Sequence, residues 1–595
     1  MIRRRRLLSS LLGFFAALVI AGCTAPTTPP PAPPVTATAP EPAPARPNPL
    51  LEVEALLSRM TLEQKVGQVM VIGFETAGYE PGLRDLIEKH HVGGVIFFAR
   101  NVVSPAQMAQ LTNDLQASAL ATGQPGLFLA IDQEGGRVAR LTTGKGFTEF
   151  PGAMAVGATS PDPKRASANA WLMGKALAEE MRAVGLNVNF APDLDVNNNP
   201  ANPVIGIRSF SSDPQRVAAI GLGLIDGLQG AGVLAFGKHF PGHGDTGVDS
   251  HAELPVIGHT RARLDTVEFV PFKTAIAGGV AGIMSAHISF PIIDPTPGVP
   301  ATLSTRVLTD LLRRDLGFEG LIVTDSLEMG ALSKNGFPTP KAAARALASG
   351  ADLLLFNSGF ALHRAAIEQI VADVKSGAIP TSRLDDAVRR TLLAKARYGI
   401  LKPAPVDAAA AATLAGSPAH QELAAKLAAS AITLVRDEEA YLPLARGAAP
   451  VVIGPPAAGR LTELLQGTDL RISEQPTAAE AEAALRAIRA QPGTPVVLVL
   501  SGGHRAQADF ARRVVATGAP VIVVALREPY DLLFAASLPA RDKPPALVAT
   551  YGVNPATLQA LAALLKGDAK PSGHLPVELP GLYPIGTGLE DFVQR

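Results

Sequence analysis

Eight short apolar runs, spaced by amphipathic stretches, dominate residues 60 to 400 and limit what this chain can fold into. They are Val69–Phe74, Gly94–Phe98, Leu127–Asp132, Leu186–Asp195, Val233–His239, Gly282–His287, Leu321–Asp325 and Asp352–Phe356. Helical patterns lie between them, among them Pro105–Ala119, Ala166–Val184, Pro214–Gln229 and Thr305–Leu316. Strands that alternate with crossover helices pair in parallel. Eight such units over residues 50–401 predict an N-terminal (β/α)8 barrel, a span within the ~200 to 400 residues that such barrels occupy.

The reading continues with a helix from Thr381 to Leu401, capped by Thr381 or Ser382, and an Ala/Pro-rich linker over 402–418. From 419 to 595, strands Val451–Ile453, Val496–Leu500, Val521–Val524 and Leu547–Thr550 alternate with helices Ala478–Ala490 and Pro555–Leu565. The same logic predicts a smaller C-terminal α/β sandwich domain. No internal repeat is visible.

The N-terminus reads as an export signal. Arg3 to Arg6 supply a positive segment, Leu11 to Ile20 an apolar one too short to span a bilayer, and Ile20-Ala21-Gly22-Cys23 a small-residue processing site. That tetrapeptide resembles the bacterial lipobox, which implies a signal peptide over 1–22 and lipidation of Cys23, with the acyl chains as membrane anchor. Residues 24–49 contain eleven Pro. They predict an extended tether from residue 23 to 49, at about 3 Å per residue and up to roughly 80 Å long. The export reading places the protein at the cell membrane, facing the periplasm or exterior.

Cys23 is the single Cys of the chain, so an intramolecular disulfide framework and a Cys-based metal cluster are excluded. The 53 basic and 53 acidic residues cancel; loss of residues 1–22 removes four Arg and no acid, leaving −4. Nothing here makes the basic stripe that nucleic acid requires.

Polar residues gather at the ends of the predicted strands: Asp132, Asp193, Asp195, Lys238, His239, His287 and Asp325. In a barrel the carboxyl ends of the strands carry the chemistry. The densest run is Phe236-Gly-Lys238-His239-Phe-Pro-Gly-His243-Gly-Asp245-Thr-Gly-Val-Asp249-Ser250-His251. A phosphate-binding loop fits poorly, because position 239 is His where Ser or Thr is needed and the glycines frame a strand. Metal ligation by His239, His243, Asp249 and His251 matches no common ligand spacing. Acid/base and substrate-binding use fits best: Asp249 two residues before His251 orients the imidazole as a proton shuttle.

Lys238-His239-Phe-Pro-Gly-His243-Gly followed by Asp249-Ser250-His251 resembles the signature of glycoside hydrolase family 3, in its bacterial β-N-acetylglucosaminidase (β-N-acetylhexosaminidase) branch. The resemblance extends through Ala130-Ile-Asp132-Gln-Glu-Gly-Gly-Arg137-Val-Ala-Arg140-Leu, Asn189-Phe-Ala-Pro192-Asp193-Leu-Asp195-Val, Ile207-Arg208-Ser209-Phe210 and Val323-Thr-Asp325-Ser326-Leu-Glu-Met329-Gly. It implies a retaining exo-glycosidase that releases terminal β-linked N-acetylglucosamine from peptidoglycan fragments or chito-oligosaccharides, with neither metal nor organic cofactor. Asp325 would be the nucleophile, His251 the general acid/base and Asp249 its partner. Asp132, Arg140, Arg208, Lys238 and His239 would hold the sugar, with His243, Asp193 and Asp195 as supports. Glu134 reads as a loop or rim residue.

Three alternatives stay open at this stage. A β-glucosidase or β-xylosidase of the family usually takes its acid from a Glu of the second domain, against which the Asp249-Ser250-His251 loop argues. Phosphorolysis and a non-catalytic glycan-binding lipoprotein are the others. Ser501-Gly502-Gly503-His504 at the end of a candidate strand reads as a turn in a domain with no assigned role.

Overall fold

The computed structural model describes residues 49–357, 359–502, 505–538 and 543–594. The signal segment, Cys23, the tether up to residue 48, and Gly503 and His504 lie outside them. No helix among the described residues is long and apolar enough to cross a membrane.

The barrel strands are β1 (Met70–Ile72), β2 (Gly94–Phe97), β3 (Phe128–Ile131), β4 (Val188–Asn189), β5 (Leu234–Phe240), β6 (Gly282–Ser285), β7 (Leu321–Thr324) and β8 (Leu354–Phe356). They pair in parallel in the order β7-β6-β5-β4-β3-β2-β1-β8. A parallel bridge between Val323 and Leu353, with the Thr324 N–H donating to the Leu353 carbonyl at 3.1 Å, brings β7 alongside β8 and completes the ring. Period-2 alternation builds two cores from these short strands. Val71, Ile96, Phe128, Ala130, Leu234, Phe236 and Met284 fill the barrel interior. Met70, Ile72, Val95 and Phe97 pack outward against the helices.

Four expectations are corrected. The strand read as Leu186–Asp195 is regular only over Val188–Asn189, and its bonds to β3 end at the Phe190 N–H because Pro192 has no N–H to give; toward β5 the Ala191 and Pro192 carbonyls still accept from Phe236 and Lys238, and Asp193 bridges to Lys238. The helix beginning at Thr381 is preceded by Pro380 in the capping position, no side chain caps it, and it ends at Arg397 ahead of Gly399 at φ +70°. The amphipathic stretch 305–316 winds as a π-helix over Arg306–Asp315. Finally, the 402–418 segment is structured: Ala408–Leu414 is helical with Ala411 buried, and Asn113 holds Val406 through both its N–H and carbonyl at 2.8 Å.

The second sheet comprises β9 (Thr433–Arg436), β10 (Val451–Gly454), β11 (Thr468–Arg471), β12 (Val496–Leu500), β13 (Val521–Ala525) and β14 (Ala546–Ala549), ordered β11-β10-β12-β13-β14-β9. All pairs are parallel except β14 with β9. Helices cover both faces. One of the two cores recruits Met154, Ala155, Ala158 and Ile207 from the barrel, so the two domains share apolar packing.

Candidate active site

A cavity of about 250 Å³ opens at the carboxyl ends of the barrel strands. All eight predicted catalytic and sugar-binding residues line it: Asp132, Arg140, Arg208, Lys238, His239, Asp249, His251 and Asp325. They arrive on five segments, contributed by four of the strands and the loops that follow them. Asp132 and Arg140 follow β3, Arg208 ends a turn in the loop after β4, Asp249 and His251 ride the loop after β5, and Asp325 follows β7. Lys238 and His239 lie within β5 itself, where the pairing register shifts between Gly237 and Phe240 and both side chains reach the cavity.

The floor of the cavity is a buried charge network. Lys238 Nζ lies 2.8 Å from Asp132 Oδ1 and 2.8 Å from Glu134 Oε1. Arg208 grips Glu134 with Nε at 3.0 Å and Nη2 at 2.8 Å, a two-pronged contact suited to a guanidinium and a carboxylate. Glu134 is 4% exposed, so it is no rim residue. Burial opposes its charge, but Arg208 and Lys238 hold its carboxyl far below the usual range. A group so firmly ionised donates no proton. Two cations converging on one buried point require such an anion, a need that the sequence order alone did not reveal.

Behind Arg208 stand Asp193, 3.5 Å from Nη2, and Asp195. Asp195 is a hub: its carboxylate accepts from the His239 ring at 2.7 Å and the His243 N–H at 2.6 Å. Burial and the Asp195 charge push the Asp193 carboxyl up to about 8. Burial, aided by Arg208, pulls the His239 ring down to about 4. A neutral ring that donates Nδ1–H to Asp195 leaves Nε2 as an acceptor, 3.4 Å from Arg208 Nη2. Asp193, Asp195 and His239 place ligating atoms within 4.8 Å of one another, the spacing a cation needs. The Arg208 guanidinium already occupies that electrostatic role.

His243 is withdrawn from any ligand set, because its two ring nitrogens hold the Ser250 hydroxyl at 2.9 Å and the Thr246 hydroxyl at 3.0 Å. It thereby fastens the loop on which Asp249 and His251 sit. Asp249 Oδ1 accepts from both the His251 N–H, at 2.8 Å, and its Nδ1, at 2.7 Å. Burial works against the Asp249 charge, but the His251 N–H and ring overcome it and hold the carboxyl below its ordinary range. The imidazole is 65% exposed, which leaves Nε2 open to a ligand and to water.

Asp325 faces the cavity from β7, and the Ser326 N–H donates to its Oδ1 at 2.7 Å. Burial opposes ionisation there too, yet His287, His239 and the Ser326 N–H hold the carboxyl below its ordinary value. His287 is buried beneath, bonded to the Ser326 carbonyl at 2.8 Å and the Thr302 hydroxyl at 2.9 Å. The arrangement therefore offers an ionised carboxylate from β7, an oriented imidazole from the loop after β5, and a polar floor between them. Phe98, Arg137, Met284, Met329 and Asn357 also line the cavity; among these Arg137 and Met329 stood inside motifs read from the sequence.

Residues 61–394 match the model of the glycosyl hydrolase family 3 N-terminal domain. The chain is 40% identical over 382 residues to beta-hexosaminidase A of Pseudoalteromonas piscicida, covering 61% of this chain and 62% of that one. It thus spans less than two thirds of that relative. It is 31% identical over 569 residues to a beta-N-acetylglucosaminidase/beta-glucosidase of Cellulomonas fimi, covering 88% and 95% of the two. The solved structure of a glycoside hydrolase family 3 beta-N-acetylglucosaminidase from Paenibacillus sp. str. FPU-7 superposes with a TM-score of 0.79 at 36% identity, over 88% of this chain and 100% of that one.

Proposed function

The chain belongs to glycosyl hydrolase family 3, and on that footing we propose that it is a retaining β-N-acetylglucosaminidase. It removes terminal β-linked N-acetylglucosamine from peptidoglycan fragments or chito-oligosaccharides. The observation that carries this reading is one cavity lined by both the ionised Asp325 and the Asp249–His251 pair at 2.7 Å.

The Asp325 carboxylate attacks the anomeric carbon while the bond to the aglycone oxygen breaks, and that oxygen takes a proton from His251 Nε2. Asp249 keeps the ring oriented with Nδ1–H toward its own carboxylate and stabilises the imidazolium. Water then attacks the glycosyl-Asp325 ester, gives its proton to His251 and frees the carboxylate. Lys238, Arg208, Asp132, Arg140 and His239 hold the sugar hydroxyls, the cations as donors, Asp132 and His239 Nε2 as acceptors.

Turnover of nitrophenyl N-acetylglucosaminide against the corresponding glucoside and xyloside, with and without phosphate, tests the reading. N-acetylglucosaminide hydrolysis independent of phosphate is expected, with at least a 10³-fold loss in Asp325→Ala. Preference for the glucoside or a requirement for phosphate would refute it, as would glycan binding without any turnover. The export signal and Cys23 support a membrane-anchored lipoprotein facing the periplasm or exterior. Cys23→Ser should then move the protein from the membrane to the soluble fraction.

A further inference from the structure

Residues 206–208 make a turn that belongs to both domains. Ile207 is 4% exposed and packs in the core of the C-terminal domain. Gly206 adopts φ +44°, and a Cβ there would fall 2.7 Å from Oε1 and 3.0 Å from Oε2 of Glu528. Glu528 stands just after β13 and ahead of the 3-10 segment Pro529–Ser537. The Ile207 N–H faces the same carboxylate. One residue further on, Arg208 sends its guanidinium into the cavity to grip Glu134. Nearby, Asn197 Nδ2 donates to the Tyr530 hydroxyl at 3.1 Å and the His574 N–H to the Ala158 carbonyl at 2.9 Å, fixing the domains against each other.

We infer that Glu528 is a positioning residue through which the C-terminal domain aims Arg208 at the sugar, so that the barrel by itself carries an incomplete site. The inference rests on the proposed role of Arg208 as a sugar-holding group. A carboxylate suits the task better than an apolar side chain. It can accept from the Ile207 N–H, and only a glycine at 206 lets it come so close. Burial and the neighbouring Asp531 push its carboxyl up to about 7, against Arg137 from the barrel hairpin and Arg527 beside it, which favour the charge. The hold on the turn therefore strengthens as pH rises through neutrality.

The test is a mutant cycle in the full chain, read with nitrophenyl N-acetylglucosaminide and by thermal melting. Glu528→Gln should raise KM about tenfold with kcat within about twofold, and should lose its effect when Arg208→Ala is already present. Its KM should also fall less between pH 6 and 8 than that of the wild type, since only the Asp193 carboxyl beside Arg208 then titrates against the guanidinium. Gly206→Ala drives a methyl against the same carboxylate from the barrel side and should reproduce the rise in KM, which decides the matter should Glu528→Gln not fold. A folded Glu528→Gln with wild-type KM, or an effect that adds in full to that of Arg208→Ala, would overturn the inference while leaving the proposed activity intact. A wild-type protein that neither hydrolyses the substrate nor binds N-acetylglucosamine would remove the proposed activity and this inference together.

Discussion

Glu134→Gln is the perturbation that the charge network answers most clearly. Glu134 receives three charge-assisted contacts, at 2.8 and 3.0 Å from Arg208 and 2.8 Å from Lys238, with all three side chains at most 10% exposed. Glutamine keeps the shape and removes the charge, which leaves two buried cations short of an anion. Breaking a buried pair from one side costs about 3–5 kcal/mol. Lys238 retains Asp132 at 2.8 Å, whereas Arg208 retains only Asp193 at 3.5 Å, a carboxyl that is itself held partly neutral. The partner kept by Lys238 limits the loss and the weak one kept by Arg208 does not, so it should sit near the middle of that range, about 4 kcal/mol, divided between folding and sugar binding. Denaturant unfolding at pH 7 and calorimetric titration with N-acetylglucosamine read the two parts. Glu463→Gln, which breaks the exposed pair with Arg460, serves as the control and should change neither. A Glu134→Gln protein with wild-type unfolding and affinity would refute the claim that the cavity floor is held by this anion.

Two further outcomes follow from the same geometry. His239 and His243 are held near pH 4 against an ordinary 6.5, so the unfolded chain takes up protons first as the solution acidifies. Stability is then fully present above 6.5 and is lost towards 4, by up to about 3 kcal/mol for each ring. His243→Gln should flatten the difference between urea midpoints at pH 7 and pH 4.5; Asp193, which titrates in the opposite sense, contributes equally to both proteins. An unchanged difference would contradict the assigned burial. Gly244→Ala places a Cβ 1.8 Å from the Val196 carbonyl. It should push the loop bearing Asp249 and His251 aside and lower kcat by about 10²-fold, in a stopped assay on a folded protein; full activity would show that the loop position is immaterial.

All eight barrel strands were legible because each is a short apolar run between amphipathic stretches, and five of the eight end in an ionisable residue, so periodicity and punctuation agreed. The strand ends were less so. Leu186–Asp195 reads as one run, and only the ladder shows that pairing with β3 stops once Pro192 cannot donate. In the second domain β9 and β11 escaped notice: both are edge strands, and Thr468-Asp-Leu-Arg471 is largely exposed and carries no apolar alternation. At the site, motif residues such as Lys238 and Asp325 announced themselves by position. Glu134, by contrast, stands in a Gly-rich segment that looks like a surface loop, and its burial is fixed by Arg208, 74 residues away. Glu528 was invisible for the same reason, since its partner is a backbone turn in another domain. Pairings set by tertiary contact leave no local pattern to read.

The central claim is that Asp325 bonds covalently to the sugar. A 5-fluoro-β-N-acetylglucosaminyl fluoride slows breakdown of such an intermediate, and peptide mapping by mass spectrometry locates the adduct. One fluorinated sugar per chain on the peptide that contains Asp325, absent in Asp325→Ala, is the predicted result. A label carried by another carboxylate, or steady turnover of the fluoride with inversion and no adduct, would contradict the account.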